Sequence, residues 1–281
     1  MRIVYLGTPE MAVATLRALV GAGHDVALVV TASDKRRGRG GALVPSAVKT
    51  AASELGLPVT DRIDDILELD PRAELGVVVA YGRLIKPHVF ETVPMVNVHF
   101  SLLPRWRGAA PLERAILAGD ERTGVCLMDI EETLDTGGVY GCTEVPIHPD
   151  ATAAQLRAAL VDAGTELVLD ALDHGLGPAV PQVGEPVYAK KIEPHELELD
   201  WTRPAVELHR IVRLGGAWTT HHGRRLKVWR SALPASDEGI AIPTGTEPLG
   251  LVEVQPEGKR RMPARAWANG AHWRAGERLG E

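Results

Sequence analysis

The chain has 281 residues, of which 45% are hydrophobic and only 4% aromatic, and its formal net charge is -6. A chain of this length can bury a full core and commonly divides into two domains, and its apolar content is typical of a globular protein. No apolar run approaches the ~20 residues that span a bilayer, and the first residues lack a secretory apolar region with a cleavage site. We therefore expect a cytoplasmic protein with no membrane partner, and the negative charge disfavours a uniformly basic nucleic-acid binder.

Apolar strands alternate with helices in the first part of the chain. The patterns predict strands over residues 1–6, 25–31 and 76–80, and helices over residues 12–20 and 45–55. Continuous apolar strands are buried on both faces, so these segments predict an α/β fold with a mostly parallel sheet and helices on both faces. The turn Gly7-Thr8-Pro9-Glu10 lacks the glycine spacing of a dinucleotide site, and Asp34 alone does not restore it. An NAD site is therefore disfavoured.

The pattern changes near residue 175. Before it, we predict a helix over residues 109–117, strands over 124–130 and 139–147, and a helix from the capping box of Thr152 and Gln155 to about His174. Glycine and proline then become frequent up to Pro194, which predicts a crossing between domains. We assign residues 1–175 to a first domain, 176–201 to a linker and 202–281 to a second domain.

The second domain combines a helix with short strands. The helix begins after Thr202 and Pro204 and ends near Gly215-Gly216, and strands are predicted over residues 226–229 and 249–254. Short strands separated by glycine and proline turns predict a small β-barrel.

Two cysteines and two adjacent histidines are candidates for redox or metal chemistry. Cys126 and Cys142 lack Cys-x-x-Cys spacing and lie in strand-like segments, which predicts buried free thiols in a reducing compartment. His221 and His222 are neighbours, and neighbouring residues on a strand point to opposite faces. We therefore expect no metal.

Basic residues cluster in two places. Residues 35–41 read Lys-Arg-Arg-Gly-Arg-Gly-Gly, with almost no apolar anchor, so we predict a mobile loop that is either merely solvated or placed to contact RNA phosphates. A second cluster, Lys259-Arg260-Arg261, lies in the second domain, where Arg224, Arg225 and Lys227 add charge.

The strongest candidates for catalysis are Asn97, His99 and Asp135. Residues 97–104 read Asn-Val-His-Phe-Ser-Leu-Leu-Pro after an apolar run of period two, so Asn97 and His99 should project from one face at the end of a strand. Acyl transfer needs a donor for the developing oxyanion and a base for the nucleophile's proton, which an amide and an imidazole provide. Asp135, in a Leu-Asp-Thr-Gly turn, can orient the imidazole if the fold brings it close.

Residues 97–111, together with Asp120, Thr123-Gly124 and residues 134–137, resemble the signature of the 10-formyltetrahydrofolate-dependent formyltransferases. The segment Arg105-Trp106-Arg107-Gly108-Ala109-Ala110-Pro111 is similar in particular to members that formylate methionyl-tRNA, and the resemblance runs over nearly the whole chain. It implies a Rossmann-like catalytic domain, an OB-like tRNA-binding second domain, 10-formyltetrahydrofolate as formyl donor and initiator methionyl-tRNA as partner.

The resemblance also implies roles for individual residues. Asn97, His99 and Asp135 would be catalytic. The residues implied in folate binding are Ala80, Tyr81, Gly82, Leu84, Ser101, Leu102, Leu103, Pro104, Asp129 and Leu134. Those implied in tRNA binding are Lys35, Arg36, Arg37, Arg39, Arg105, Arg107, Lys259, Arg260 and Arg261.

Three departures from the family pattern concern the acceptor rather than the formyl chemistry, and one is Leu214-Gly-Gly-Ala-Trp218 in place of a more proline-aromatic stretch. The chain is shorter between Leu233 and Leu249, and residues 192–200 are acidic where tRNA would favour a basic surface. The alternative is a formyltransferase of the same mechanism that acts on a small amine, such as an amino sugar or an amino acid. A non-catalytic RNA- or folate-binding protein is least favoured, because Asn97, His99 and Asp135 are all retained. Without an exposed apolar repeat, we expect a monomer.

Overall fold

The computed structural model describes residues 1–37, 41–274, 276–277 and 279–280, with only the backbone of Arg37. The chain divides into two compact units, and each unit is formed from three segments of the chain. Unit 1 contains Met1–Pro111, Arg122–Pro146 and Arg157–Ala189, and unit 2 contains Leu112–Glu121, Ile147–Leu156 and Lys190–Glu281. Among the described residues, none of the helices combines the length and the apolarity that a membrane crossing requires.

The regular elements are short strands and mostly short helices. The strands are β1 Arg2–Gly7, β2 Asp25–Val30, β3 Lys35–Arg37, β4 Ala42–Val44, β5 Val59–Thr60, β6 Leu75–Val79, β7 Met95–His99, β8 Arg105–Gly108, β9 Arg122–Asp129, β10 Val139–Pro146, β11 Val187–Ala189, β12 Trp218–His221, β13 Arg224–Ala232, β14 Ile240–Ile242, β15 Leu249–Pro256 and β16 Met262–Pro263. The α-helices are α1 Val13–Gly21, α2 Ala47–Glu54, α3 Pro87–Phe90, α4 Pro111–Ala118, α5 Ala153–His174, α6 Ala205–Leu214 and α7 Ala264–Ala271. Short 3₁₀ helices cover Glu10–Ala12, Ile63–Glu68 and Pro194–Leu197.

A seven-stranded sheet in the order β10-β9-β7-β6-β1-β2-β5 forms the centre of unit 1. The neighbours from β7 to β5 pair in parallel, whereas β9 and β10 are antiparallel additions at one edge. Strand β6 is buried at every position, as expected of a parallel strand covered on both faces. The predicted mostly parallel sheet is confirmed, and the predicted capping box is present because the Thr152 amide donates to Gln155 Oε1 (2.9 Å).

Helix α5 covers one face of this sheet at β7 and β9. A Cβ atom at Gly164 would lie 2.9 Å from a methyl group of Val98 and 3.1 Å from one of Val125, so glycine allows the helix to lie close to these strands. Because side chains alternate along a strand, Asn97 and His99 lie on the face opposite Val98. The helix therefore leaves the polar pair on the other side of the sheet.

The cysteines differ from the sequence prediction. Cys126 on β9 and Cys142 on β10 form a disulfide, so the expected free thiols are wrong. The antiparallel register sets these two residues directly opposite each other, which brings their side chains within bonding reach. Cys126 is also the register partner of His99, so the disulfide lies on the same face of the sheet as the imidazole. A separation of 16 residues in sequence gives no sign of this register.

Unit 2 is built around an antiparallel sheet in the order β12-β13-β15-β14, with β16 paired to β15. Its core joins sheet residues such as Val228 and Leu251 to Leu208 of α6 and Trp267 of α7. The two predicted strands are present and longer than expected, as β13 and β15. The sequence did not predict β12, β14, β16 or α7, whose signals are short and interrupted by glycine and proline.

Two local expectations also change. Residues 35–41 do not form a wholly irregular loop, because Lys35–Arg37 pairs with Ala42–Val44 in a two-stranded hairpin; residues 38–40 lie outside the described residues. The prediction that His221 and His222 point apart is wrong as well. Strand β12 ends at His221, and His222 has a left-handed backbone (φ +50°), so the two rings lie only 4.1 Å apart between centroids.

Candidate active site

Strand β7 presents Asn97 and His99 from the interior of the sheet, between β6 and β9. His99 is buried, whereas Asn97 is partly exposed. Within the described part of the chain, the Asn97 side chain has no hydrogen-bond partner, so its amide can donate to a bound molecule. Asn97 and His99 lie on one face of β7, as the period of two predicted.

Asp135 reaches this strand through a loop that doubles back along it. The loop leaves β9 beside the start of β7, where the Ile130 amide donates to the Met95 carbonyl (3.3 Å). At the other end of β7, Asp135 Oδ1 lies 3.6 Å from His99 Nδ1, with only 9% and 6% of the two side chains exposed. A carboxylate at this position orients the imidazole ring.

Two backbone features hold the loop in this course. A Cβ atom at Gly137 would lie 2.1 Å from the Asp129 carbonyl oxygen, so only glycine permits the loop to pass so close to the end of β9. Asp135 itself has a left-handed backbone (φ +55°), which aspartate tolerates better than most residues. Its Oδ2 accepts a hydrogen bond from the Gly108 amide (2.7 Å). The carboxylate is therefore held through Oδ2, with Oδ1 facing His99 Nδ1.

Gln182 is a residue of this site that the sequence did not indicate. Its Nε2 donates to the carbonyl oxygens of Asp135 (3.0 Å) and Gly137 (2.9 Å), and its Oε1 accepts from Arg107 Nε (3.0 Å) and Nη2 (2.6 Å). It lies in the stretch predicted as a linker, where no local motif marks it. Arg107, predicted to bind tRNA, has its guanidinium engaged within the protein and supports the Asp135 loop.

The other nitrogen of His99 faces the protein backbone. Its Nε2 lies 3.0 Å from the carbonyl oxygen of Trp106, a residue with a left-handed backbone (φ +65°). The Arg105 guanidinium stacks over the indole of Trp106, 4.4 Å from the ring centroid. Both ring nitrogens of His99 therefore lie beside oxygen acceptors. An amine that gives its proton to Nε2 must take the place of the Trp106 carbonyl.

The first segment predicted to bind folate follows β6. The chain turns there through Ala80 (φ +48°) and Gly82 (φ +76°), and the Thr8 hydroxyl donates to the Tyr81 carbonyl (3.0 Å). Burial raises the pKa of the Tyr81 phenol. Leu84, by contrast, is 71% exposed. The segment thus offers bent backbone and an exposed apolar side chain at the end of a buried strand.

The remaining residues predicted to bind folate also lie in unit 1. Ser101 is fully buried and donates to the Arg105 carbonyl (2.6 Å), and the Leu103–Pro104 peptide bond is cis. Leu102 packs against Gly124, where a Cβ atom would lie 2.4 Å from its side chain. Burial raises the pKa of the Asp129 carboxyl, which accepts from the Ile130 amide, and Leu134 is 60% exposed.

The predicted tRNA-binding residues lie in both units. Lys35 and Arg36 are exposed on β3, whereas the Arg37 side chain and all of Arg39 lie outside the described residues. Lys259, Arg260 and Arg261 are exposed in unit 2. There the Arg261 guanidinium stacks on Trp229 (3.4 Å to the centroid), and the Arg225 guanidinium stacks on Trp218 (4.0 Å). The second cluster is therefore a surface that combines cations with aromatic rings.

Known proteins and family models are similar to this chain over nearly its whole length. The family model for formyl transferase matches residues 1–172, and the model for its C-terminal domain matches residues 191–272. A protein from Symbiobacterium thermophilum, "Methionyl-tRNA formyltransferase", is 42% identical, and the alignment covers 99% of this chain and 95% of the relative.

Two solved structures share the fold. HypX from Aquifex aeolicus in complex with tetrahydrofolic acid has a TM-score of 0.68 at 19% identity, covering 99% of this chain and 48% of that one. The N-formyltransferase from Helicobacter canadensis, in complex with folinic acid and dTDP-3-aminofucose, has a TM-score of 0.67 at 17% identity, covering 90% of this chain and 98% of that one. Because both family models match and together cover most of the chain, the chain belongs to the formyl transferase family.

Proposed function

We propose that this chain transfers the formyl group of 10-formyltetrahydrofolate to the amino group of methionyl-tRNA, as in translation initiation. The observation that carries the proposal is the pairing of buried His99 with Asp135, with the free amide of Asn97 on the same strand face. The full-length relationship to the Symbiobacterium thermophilum enzyme points to the same activity.

The chemistry follows from the three side chains. The neutral amine attacks the formyl carbon, and the Asn97 amide donates to the formyl oxygen as it gains negative charge. His99 Nε2 accepts the proton that the amine loses, while Asp135 holds the ring through Nδ1. The bond between the formyl carbon and N10 of the folate then breaks, N10 takes up a proton, and the products are the N-formylated amine and tetrahydrofolate.

We assign the donor site to the segments around residues 80–84, 101–104 and 129–134. A flat pteridine needs an apolar slot with backbone donors and acceptors at its rim. Exposed Leu84 and Leu134 supply apolar surface, and the turned backbone at Ala80 and Gly82 supplies polar groups. Among the predicted residues, Ser101 donates its hydroxyl to the Arg105 carbonyl and Leu102 packs against Gly124, so we assign both a supporting role beneath the donor site.

For the acceptor, unit 2 favours RNA over a small amine. Arg225 and Arg261 stack on tryptophan rings beside further exposed cations, a combination suited to phosphates and bases. The negative charge of residues 192–200 is partly compensated, because Arg114 binds the Glu196 carboxylate through two nitrogens (2.6 and 3.0 Å). This contact lowers the pKa of the Glu196 carboxyl to about 2. We assign residues 1–175 to catalysis, with Gln182 added to the site from the linker stretch 176–201, and residues 202–281 to tRNA binding, in a cytoplasmic monomer.

The test compares acceptors. With 10-formyltetrahydrofolate as donor, we expect transfer to methionyl-tRNA and no comparable transfer to free methionine or a nucleotide-linked amino sugar. The KM for methionyl-tRNA should rise with salt, because each phosphate contact adds about 0.7 to 0.9 to the log-log slope. Equal use of a free small amine, without salt sensitivity, would overturn the assignment to tRNA.

Gln182 gives a prediction about positioning. Gln182→Ala removes the two donors that hold the Asp135 and Gly137 carbonyls, so kcat should fall about 10-fold to 100-fold because the Asp135–His99 geometry loosens. Steady-state kinetics should show little change in KM for the folate. Glu185→Ala, an exposed change three residues away, is the control and should leave kcat unchanged. An unchanged kcat in Gln182→Ala would remove Gln182 from the positioning of Asp135.

A further inference from the structure

We propose that His221, His222 and Glu277 in unit 2 form a binding site for a divalent transition-metal ion of the zinc type. Imidazole nitrogens and a carboxylate oxygen are ligands that zinc accepts, in a tetrahedral set completed by water. The site would tie the C-terminal segment of the chain to the turn between β12 and β13. It is separate from the residues assigned to formyl transfer.

The distances fit this chemistry. His221 Nε2 and His222 Nε2 lie 3.6 and 3.7 Å from the same oxygen, Glu277 Oε1, and the three ligand atoms all lie within 4.8 Å of one another. In a tetrahedral zinc site with bonds of about 2.0–2.1 Å, neighbouring ligand atoms are about 3.3–3.4 Å apart. Small side-chain adjustments are therefore enough to complete the site.

The turn after β12 explains how adjacent histidines converge. His222 (φ +50°) and Gly223 (φ +69°) are both left-handed, so the chain reverses immediately after His221. The His221 ring also packs edge-on against Trp267, with 5.1 Å between centroids, which fixes its orientation. Side chains alternate between faces only along an extended strand. Strand β12 ends at His221, so this alternation does not separate the rings of His221 and His222.

Among the described residues, the ion pairs of the ligand atoms are formed with one another. His221 Nε2 is buried and has no hydrogen-bond partner among the described residues, a costly state for a polar atom. Glu277 Oε2 accepts from the Arg274 amide (2.9 Å), which leaves Oε1 directed at the histidines. His222, whose side chain is 74% exposed, leaves an open path for the ion and for a water ligand. A metal ion would satisfy all three groups at once.

Zinc binding by the tag-free protein, stripped with EDTA and kept without reductant, tests the proposal. Competition with a chromophoric chelator should give one Zn²⁺ per chain, and Zn²⁺ should raise the Tm. His222→Asn and Glu277→Gln should each weaken binding by at least about 10-fold to 100-fold, the loss typical even of residues that only support a metal ligand. Asparagine tolerates the left-handed backbone, so His222→Asn should still fold.

His272→Asn is the matched control, because His272 is an exposed histidine of unit 2 that is also left-handed (φ +54°). It should bind Zn²⁺ like the wild type. No Zn²⁺ binding by the folded wild type at micromolar free zinc, or equal affinity in wild type, His222→Asn and Glu277→Gln, would overturn the proposal. Neither result depends on formyl transfer, so the two proposals fail independently.

Discussion

His99→Ala should reduce kcat for formyl transfer to methionyl-tRNA by about 10²–10⁴-fold, the contribution of a positioned general base. The imidazole lies between Asp135 and the Trp106 carbonyl, whose place we assign to the attacking amine. Loss of the ring leaves the amine's proton without an acceptor, whereas folate binding rests on other residues. The measurement is kcat with saturating 10-formyltetrahydrofolate, together with thermal unfolding of the same preparation.

A second pair of histidine and aspartate in unit 1 provides the control for His99. His88 Nε2 lies 2.9 Å from Asp64 Oδ1 on the surface, so His88→Ala removes a similar contact away from the site and should keep full turnover. Because His99 is buried, His99→Asn is a useful second variant that retains a polar side chain of smaller size. Near-wild-type turnover by either His99 variant, with cooperative unfolding retained, would exclude His99 as the base.

Asn97→Ala should lower kcat by roughly 10²–10³-fold, because removal of one oxyanion donor typically costs ~2.7–4 kcal/mol of transition-state stabilisation. Folding should be little affected, since the side chain is partly exposed. Asn97→Asp, of the same shape but without the amide donor, should show a comparable loss. Steady-state kinetics with methionyl-tRNA and 10-formyltetrahydrofolate distinguish this effect on kcat from one on KM.

The control for Asn97 is Asn269→Ala, an exposed change on α7 in unit 2 that should leave kcat unchanged. If Asn97→Ala and Asn97→Asp both kept kcat within a few-fold of the wild type, the oxyanion donor would have to be another group. A loss in Asn97→Ala that Asn97→Asp fully restored would argue for a packing role instead.

Local sequence patterns predicted the strands and the helix start that are determined by neighbouring residues. Strands β1, β2 and β6 are continuous apolar runs, and the reciprocal hydrogen bonds of Thr152 and Gln155 begin α5 where the capping box indicated. The alternation of these strands with helices was enough to predict a mostly parallel sheet. The period of two in β7 likewise placed Asn97 and His99 on one face.

Features set by distant contacts were not predictable in this way. The disulfide depends on the register of β9 against β10, and the antiparallel direction of β9 depends on its pairing with β7. Gln182 contributes through hydrogen bonds to residues 45 and 47 positions away, and nothing in its neighbourhood marks it. The rule of alternation failed at His222 because one left-handed residue ends the strand.

The site formed by Asn97, His99 and Asp135 combines features that the sequence predicted with features that it did not predict. The residue types and the strand period indicated Asn97 and His99, but the approach of Asp135 required a loop that turns back along β7 and passes Asp129 at Gly137. The contact of His99 Nε2 with the Trp106 carbonyl was likewise invisible in the sequence. That contact adds a requirement, because the acceptor amine must displace it.

A crystal structure of the protein bound to 5-formyltetrahydrofolate, a stable relative of the donor, would test the catalytic assignment most directly. We predict that the pteridine lies against residues 80–84 and 129–134, with the N10 side of the folate directed at the Asn97 amide and His99. A folate bound in another part of the protein, with Asn97 and His99 remote from its N10 atom, would contradict the roles proposed for Asn97, His99 and Asp135.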